Sequence, residues 1–167
     1  MGDASPVFDP GRGLHVLNAH GVRYVVIGGV AAAIVGSPVL TGDLDVCYAR
    51  DDANLKALAG ALVELHARLR GAPPGIPFQL DHMTLRNGDH FTFTTDAGDL
   101  DVIGTPAGTG GYEQLVRDAS PVELGDGVRA HVASLEALIR MKEAAGRPKD
   151  RFALETLRAI RDESLDE

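Results

Sequence analysis

The sequence has 167 residues, of which 44% are hydrophobic and 24% are charged, as is usual for a globular protein. Its formal net charge of −8 argues against an extended surface that binds nucleic acid. The single cysteine, Cys47, excludes an intrachain disulfide and a cysteine-based zinc site. No apolar run is long enough to span a membrane, and the acidic N-terminus lacks the features of a signal peptide. We therefore expect a cytoplasmic protein without membrane association, with a single domain over residues 1–167.

The first half of the chain predicts two strands, each followed by a helix. Leucines from Leu55 to Leu69 are spaced to form one buried stripe, which predicts a long helix. His20-Gly21 ends a short helix before it, because glycine is favoured just past a helix end. In order, we expect a loose arm (1–13), a short helix (14–19), a strand (22–27), a short helix (30–35), a strand (44–49) and a helix from Asp51 or Asp52 to about Leu69.

The second half predicts strands first and helices last. Turn signals at Asn87-Gly88 and Ala97-Gly98 separate strand-like pieces near 83–86, 90–94 and 99–103. Around them we expect a Pro/Gly loop (71–77), a flexible loop (104–111), a short helix (112–118), a hairpin (121–124 with 128–132), a helix from Ser134 to Ala145 and a last helix from Pro148 to about Asp162. The sum predicts an α+β fold with a mixed sheet flanked by helices. Its core covers about 14–132 and a C-terminal helical segment about 134–163.

Acidic residues stand out in two of the predicted strands. Asp43 and Asp45 are two apart, so their carboxylates point to the same face of one strand. At about 4 Å and an effective dielectric near 20, two such charges repel by roughly 4 kcal/mol unless a proton or a cation intervenes. Asp101 lies in another apolar strand, and if the strands are neighbours the three acids suit Mg²⁺. The alternative is an edge strand with a solvated face. Asp99 equally fits a turn and ranks below Asp101.

Gly28-Gly29 follows the first strand. Such a pair lets backbone N–H groups approach a phosphate, but any tight turn from strand to helix would use it too. The glycine fingerprint of dinucleotide-binding folds and the GxxxxGK[ST] phosphate loop are both absent.

The order of motifs resembles the nucleotidyltransferase superfamily (DNA polymerase β-like): an apolar strand, Gly-Gly, Asp-x-Asp and an aspartate in a later strand. The segment GSPVLTGDLD (36–45) resembles the Gly-x-Pro-Arg-x-Thr-x-Asp-[Leu/Ile]-Asp pattern of the abortive-infection type nucleotidyltransferase toxins. The run LIRMKEAAGRPKD (138–150) resembles their lysine-containing helix followed by Arg-x-Lys-Asp. These segments keep the order of that group from Tyr24 to Leu157, and the resemblance implies a nucleotidyltransferase fold.

The resemblance also implies roles for individual residues. Asp43 and Asp45 would hold Mg²⁺ on a triphosphate, and Asp101 would complete a second metal position or accept a proton. Lys142 would pair with the triphosphate, with Arg147 and Lys149 as weaker phosphate or acceptor contacts. Asp150 would orient these cations or cap the last helix. The implied catalytic set is Asp43, Asp45, Asp101 and Lys142, and the implied nucleotide-binding set is Gly28, Gly29, Thr41, Lys142 and Arg147.

Three positions depart from the family pattern. Val39 stands where the pattern has arginine, Val30 follows Gly-Gly where many members have serine or threonine, and Ala153 replaces a second aspartate. The departures at Val39 and Ala153 favour, as one alternative, a non-catalytic relative that binds a nucleotide or a partner protein.

The leading function that the resemblance implies is Mg²⁺-dependent transfer of a nucleoside monophosphate from an NTP to a hydroxyl. In that branch the acceptor would be a tRNA 3′ end and the donor CTP or UTP, with the protein acting as the toxin of a toxin–antitoxin pair beside a cognate antitoxin. A second reading has a small molecule such as an aminoglycoside, or a protein hydroxyl, as the acceptor, since cationic antibiotics suit acidic clefts.

Overall fold

The computed structural model describes residues 6–73 and 80–166. The elements in chain order are α1 (Pro10–Ala19), β1 (Tyr24–Ile27), α2 (Gly28–Ile34), β2 (Asp43–Tyr48), α3 (Asp52–Glu64), β3 (Arg68–Leu69), α4 (His82–Asn87), β4 (His90–Thr95), β5 (Gly98–Ile103), α5 (Tyr112–Asp118), β6 (Ser120–Glu123), β7 (Arg129–Val132), α6 (Leu135–Ala145), a 3₁₀ turn (Pro148–Asp150) and α7 (Arg151–Leu165). None of the helices in these described ranges is long and apolar enough to cross a membrane.

The strands in the described ranges form one mixed sheet in the order β3-β4-β5-β2-β1-β7-β6. The central strand β2 is parallel to β5 on one side and antiparallel to β1 on the other. Strand β1 is also parallel to β7, which forms an antiparallel hairpin with the edge strand β6. On the other side, β4 and β5 form a second hairpin, and the short edge strand β3 pairs antiparallel with β4. The mixed sheet flanked by helices confirms the predicted α+β class.

The core is built from the apolar positions that the sequence pattern indicates. All four residues of β1 are buried, as expected of a strand covered on both faces. In α3, the leucines at helical spacing turn one stripe inward, since Leu55, Leu58 and Leu62 are fully buried. This packing fixes β2 at the centre of the sheet, where the acidic residues are.

The long helix is shorter than predicted. Helix α3 ends at Glu64, and His66 has a positive φ of 53°, which the α-helix does not allow. The chain turns there, so Leu69 lies in β3 and pairs with Phe93 of β4 instead of extending the leucine stripe. The predicted loop over 71–77 lies partly outside the described residues, from position 74 onward.

The strand predicted near 83–86 is wrong. These residues belong to α4, because the Asp81 carboxylate accepts a hydrogen bond from the Thr84 backbone N–H and caps the helix start. Of the predicted arm over 1–13, residues 1–5 lie outside the described residues, and the prediction is wrong from Pro10 onward. Asp9 caps α1 by accepting from the Arg12 N–H, and a proline in the first turn is well suited to a helix start.

The glycine pair and the C-terminal segment also differ in detail. Helix α2 begins at Gly28 itself, so Gly28 and Gly29 form its first turn and do not precede it. Near the C-terminus, Gly146 ends α6 with a φ of 60°, as its position predicted. A 3₁₀ turn over Pro148–Asp150 then leads into α7, which continues to Leu165.

Candidate active site

Four aspartates lie on one face of the sheet at its centre. Strands β2 and β5 pair in parallel register, with Asp43 opposite Asp99 and Asp45 opposite Asp101. Residues that alternate along a strand share a face, so all four carboxylates extend from the same side. Like charges directly opposite each other destabilise a sheet, so this arrangement requires a proton or a cation for compensation. The structure thus brings Asp43, Asp45 and Asp101 together.

The electrostatics of this cluster centre on Asp45. Burial, followed by the charge of Asp101 and a hydrogen bond with it, raises the pKa of Asp45 to about 7. The charge of Asp43 adds to this rise, and Lys142 opposes it. In the absence of a metal ion, Asp45 therefore keeps its proton to near neutral pH.

The raised pKa of Asp45 gives a stability prediction. The folded state keeps a proton that the unfolded chain releases near pH 4, so the free energy of unfolding should fall as the pH rises from about 4 to about 7. Asp45→Asn removes this charge. We expect the metal-free variant to melt about 5 °C above wild type at pH 8, or about 2 kcal/mol, with the difference shrinking toward pH 5. Thermal unfolding in EDTA measures this, and a lower melting temperature at pH 8 would refute it.

The predicted glycine pair lies directly against the acids. Gly28 has a φ of 69°, and a Cβ at that position would overlap the Asp45 carboxylate, with Asp45 Cγ only 2.8 Å away. A Cβ on Gly29 would lie 2.6 Å from both Cβ and Oγ1 of Thr41. The pair is therefore required by the close approach of the α2 backbone to Asp45 and Thr41, whatever it binds.

Gly28→Ala should displace Asp45. Both the left-handed backbone and the overlap with the carboxylate oppose a methyl group, so we expect the free energy of unfolding to fall by about 2 kcal/mol or more. Gly42→Ala is the matched control, because its Cβ would meet nothing within 4 Å and Gly42 also adjoins Asp43. Urea unfolding of both variants tests this, and equal stabilities would show that the close approach at Gly28 is not needed.

Thr41 serves the backbone of the acidic strand. Its hydroxyl donates to the Asp43 carbonyl at 3.2 Å and accepts from the Asp43 N–H at 3.3 Å. The hydroxyl therefore fixes the start of β2, a role separate from the phosphate contact that the resemblance implies. The loop before it is open, since Leu40 is 96% exposed and Val39 is 40% exposed.

A cluster of charged groups joins α6 to the last helix. Lys142 Nζ donates to Asp150 Oδ1 at 3.0 Å, and Arg147 Nε donates to Asp150 Oδ2 at 2.6 Å. Burial alone would raise the pKa of Asp150, but the hydrogen bonds from Arg147 and Lys142 outweigh it and hold that pKa below its ordinary value. Asp150 therefore orients both cations, the first of its two predicted roles. Lys149 is exposed nearby.

Arg70 is a site residue that sequence patterns did not indicate. Its Nη2 donates to Asp101 Oδ1 at 2.7 Å and to the Phe93 carbonyl at 3.0 Å, and its Nε lies 3.4 Å from Asp99 Oδ2. The predicted helix to about Leu69 and loop from Gly71 gave Arg70 no part in the acidic site. The alternation of Arg68, Leu69 and Arg70 is the one signal that could have marked a strand there.

The carboxylates suit a divalent cation by their chemistry, since hard cations such as Mg²⁺ take oxygen ligands. Asp45 and Asp101 already lie within hydrogen-bonding reach of each other, beside Asp43. No three His, Cys, Asp or Glu side chains within residues 6–73 and 80–166 are preassembled in metal-binding geometry. In this structure Asp101 binds Arg70 instead, so its full use as a ligand requires a side-chain adjustment.

Comparison with known proteins gives a consistent fold. The provisionally assigned nucleotidyltransferase TM1012 of Thermotoga maritima superposes with a TM-score of 0.55 at 20% identity, over 91% of this chain and 89% of that one. The lincosamide antibiotic adenylyltransferase LnuA, solved with lincomycin bound, superposes with a TM-score of 0.56 at 16% identity, over 88% and 92% of the two chains. This chain has a nucleotidyltransferase fold. No family model and no curated protein sequence matches it.

Proposed function

We propose that the protein is a Mg²⁺-dependent nucleotidyltransferase that moves a nucleoside monophosphate from an NTP to an acceptor hydroxyl. The observation that carries the proposal is the carboxylate face of β2 and β5, where Asp43, Asp45 and Asp101 lie in register on this fold. Lys142 supports it, because its charge acts on Asp45 from the C-terminal segment.

Each residue has a distinct task in this proposal. Asp43 and Asp45 would hold Mg²⁺ with the triphosphate, and Asp101 would complete a second metal position or take the acceptor's proton. When bound, Mg²⁺ would neutralise part of the triphosphate charge and lower the pKa of the attacking hydroxyl. The acceptor oxygen bonds to the α-phosphorus, the bond from that phosphorus to the bridging oxygen of the β-phosphate breaks, and pyrophosphate leaves.

The donor's phosphates would extend from the acids toward the C-terminal helices. A cavity of about 330 Å³ there is lined by Lys142, Arg147, Arg151 and Arg158 together with acidic neighbours. Lys142 interacts with both regions, since it bonds to Asp150 while its charge acts on Asp45. Lys142 and Arg147 are accordingly the proposed triphosphate contacts, and the first-turn N–H groups at Gly28 and Gly29 are further candidates beside Asp45.

The first candidate acceptor is a tRNA 3′ end, with the protein as the toxin of a toxin–antitoxin pair. The motif resemblance around 36–45 and 138–150 motivates this candidate. Half of the sixteen basic residues fall between Arg129 and Arg161, which gives an acidic protein a basic flank for a phosphorylated acceptor.

The second candidate acceptor is a hydroxyl of a small molecule. The likeness to LnuA motivates it, because that lincosamide adenylyltransferase matches this chain over nearly its full length. A net charge of −8 also suits a cationic antibiotic better than a polyanion.

The acceptor is tested by incubating the protein and Mg²⁺ with each α-³²P-labelled NTP and either total tRNA or a panel of lincosamide and aminoglycoside antibiotics. A labelled tRNA band would support the toxin-like transferase and identify the donor base. A labelled antibiotic would establish the small-molecule reading. NTP that binds on filters without transfer to either acceptor would favour a non-catalytic relative.

A further inference from the structure

Arg70 has its guanidinium fixed at the edge of the acidic face. Its backbone N–H donates to the Thr92 carbonyl at 2.9 Å, which anchors the residue to β4. From there the side chain extends across β4 to β5, where it bonds to Asp101 Oδ1 at 2.7 Å and lies 3.4 Å from Asp99 Oδ2. The site is only partly open to water, since 31% of the Arg70 side chain and 14% of the Asp101 side chain are exposed.

Arg70 offsets the negative charge of the two aspartates on β5. Asp99 and Asp101 both lie on β5, and each is directly opposite another aspartate on β2. A guanidinium is a planar, permanently charged group with several donors, so one arginine can engage two carboxylates at once. On the other half, the charge of Lys142 acts on Asp45, but that lysine is already bonded to Asp150.

We propose that Arg70 is a built-in counter-ion that takes the place of a divalent cation at Asp101 and is displaced when the metal ion binds. The inference rests on the metal site of the proposed function. Two cations that neutralise the same carboxylates oppose each other, so the contacts that Arg70 makes must weaken metal binding by a matching factor. The protein would thereby fold with its acidic face compensated before metal and nucleotide arrive.

Binding of Mn²⁺ to the nucleotide-free protein tests this directly, because electron paramagnetic resonance counts free Mn²⁺ without any turnover. We expect Arg70→Met to bind Mn²⁺ about tenfold or more tightly than wild type, since no guanidinium then competes for Asp101. The same variant should melt at a lower temperature in EDTA and gain more from added Mn²⁺ than wild type does.

Two further variants separate contact from charge. Arg68→Met removes the same charge from an exposed arginine of β3 that faces Thr94, and it should change Mn²⁺ affinity less than threefold. Arg70→Lys keeps the charge but cannot span both carboxylates, so its affinity should lie between those of wild type and Arg70→Met. It also provides a folded variant if Arg70→Met unfolds.

The outcomes are decisive in each direction. If wild type binds Mn²⁺ clearly and Arg70→Met binds it equally or more weakly, Arg70 is not a competing counter-ion. The proposed function would be unaffected by that result. Weaker binding would show that Arg70 positions Asp101 for the metal. If neither protein binds Mn²⁺, the metal site of the proposed function fails, and the counter-ion fails with it.

Discussion

Asp43→Asn is expected to lower the rate of nucleotide transfer by about 10³-fold or more, while the protein keeps its fold. The amide cannot supply the negative charge that holds a cation on the triphosphate, and metal stabilisation of phosphoryl chemistry is worth several kcal/mol. The fold should persist because the change removes one of four like charges that share a face of the sheet. Single-turnover transfer from an α-labelled NTP measures the loss.

Asp99→Asn is the matched control for this change. Asp99 lies opposite Asp43 in the same register, so it has the same chemistry and a similar place on the face. It has no proposed contact with the metal or the triphosphate, and its neighbours are Arg70 and the Thr94 hydroxyl. We expect Asp99→Asn to keep transfer within about tenfold of wild type. Equal losses in the two variants would mean that the face acts through its total charge alone.

Lys142→Met is expected to lower kcat/KM for the NTP by about 10²-fold. The Lys142 ammonium lies 3.0 Å from the buried Asp150 carboxylate, which orients it. Its charge still acts on Asp45. An oriented cation of this kind stabilises negative charge on a phosphate as the bond to the leaving group breaks. Steady-state transfer at a saturating acceptor concentration provides the measurement.

Lys149→Met controls for loss of positive charge in the same segment. Lys149 is exposed within the 3₁₀ turn, one residue before Asp150. We expect transfer by this variant to stay within about twofold of wild type, because exposed charges at a distance are screened. If Lys149→Met costs as much as Lys142→Met, the basic segment attracts the nucleotide without a specific contact at Lys142.

The acidic face could be predicted because it depends on short-range rules. The two-residue period of a strand places Asp43 and Asp45 on the same side in any sheet. Asp101 required one further assumption, that its strand lies next to theirs, and the parallel pairing of β2 with β5 confirms that neighbourhood. Asp99 lies within a strand and not in a turn, since β5 begins at Gly98.

The misassigned elements were short or ended by an unusual backbone. Helix α4 has six residues, too few for a helical period to show, although Asp81 offered a capping signal. Leu65 and Leu69 are four apart and continue the helical stripe of α3, whereas the backbone of His66 turns the chain away. Nothing in the leucine spacing records that turn.

Arg70 could not be predicted because its partners are remote in sequence. Asp101 is 31 residues away, and the contact forms only because β3, β4 and β5 are adjacent in the sheet. Lys142 and Asp150 were easier, since eight residues separate them and a helix end with a glycine turn brings them together. The family resemblance indicated Lys142 and Asp150, and the structure shows the hydrogen bond between them.

Transfer from differently labelled nucleotides tests the central claim most directly. The protein, Mg²⁺ and a mixed pool of tRNA and hydroxyl-bearing antibiotics are incubated with each NTP, labelled with ³²P at either the α- or the γ-phosphate, beside Asp43→Asn. We predict that wild type transfers only the α-label and releases the γ-label in pyrophosphate, and that Asp43→Asn transfers neither. Transfer of the γ-label, or equal transfer of the α-label by both proteins, would contradict the account.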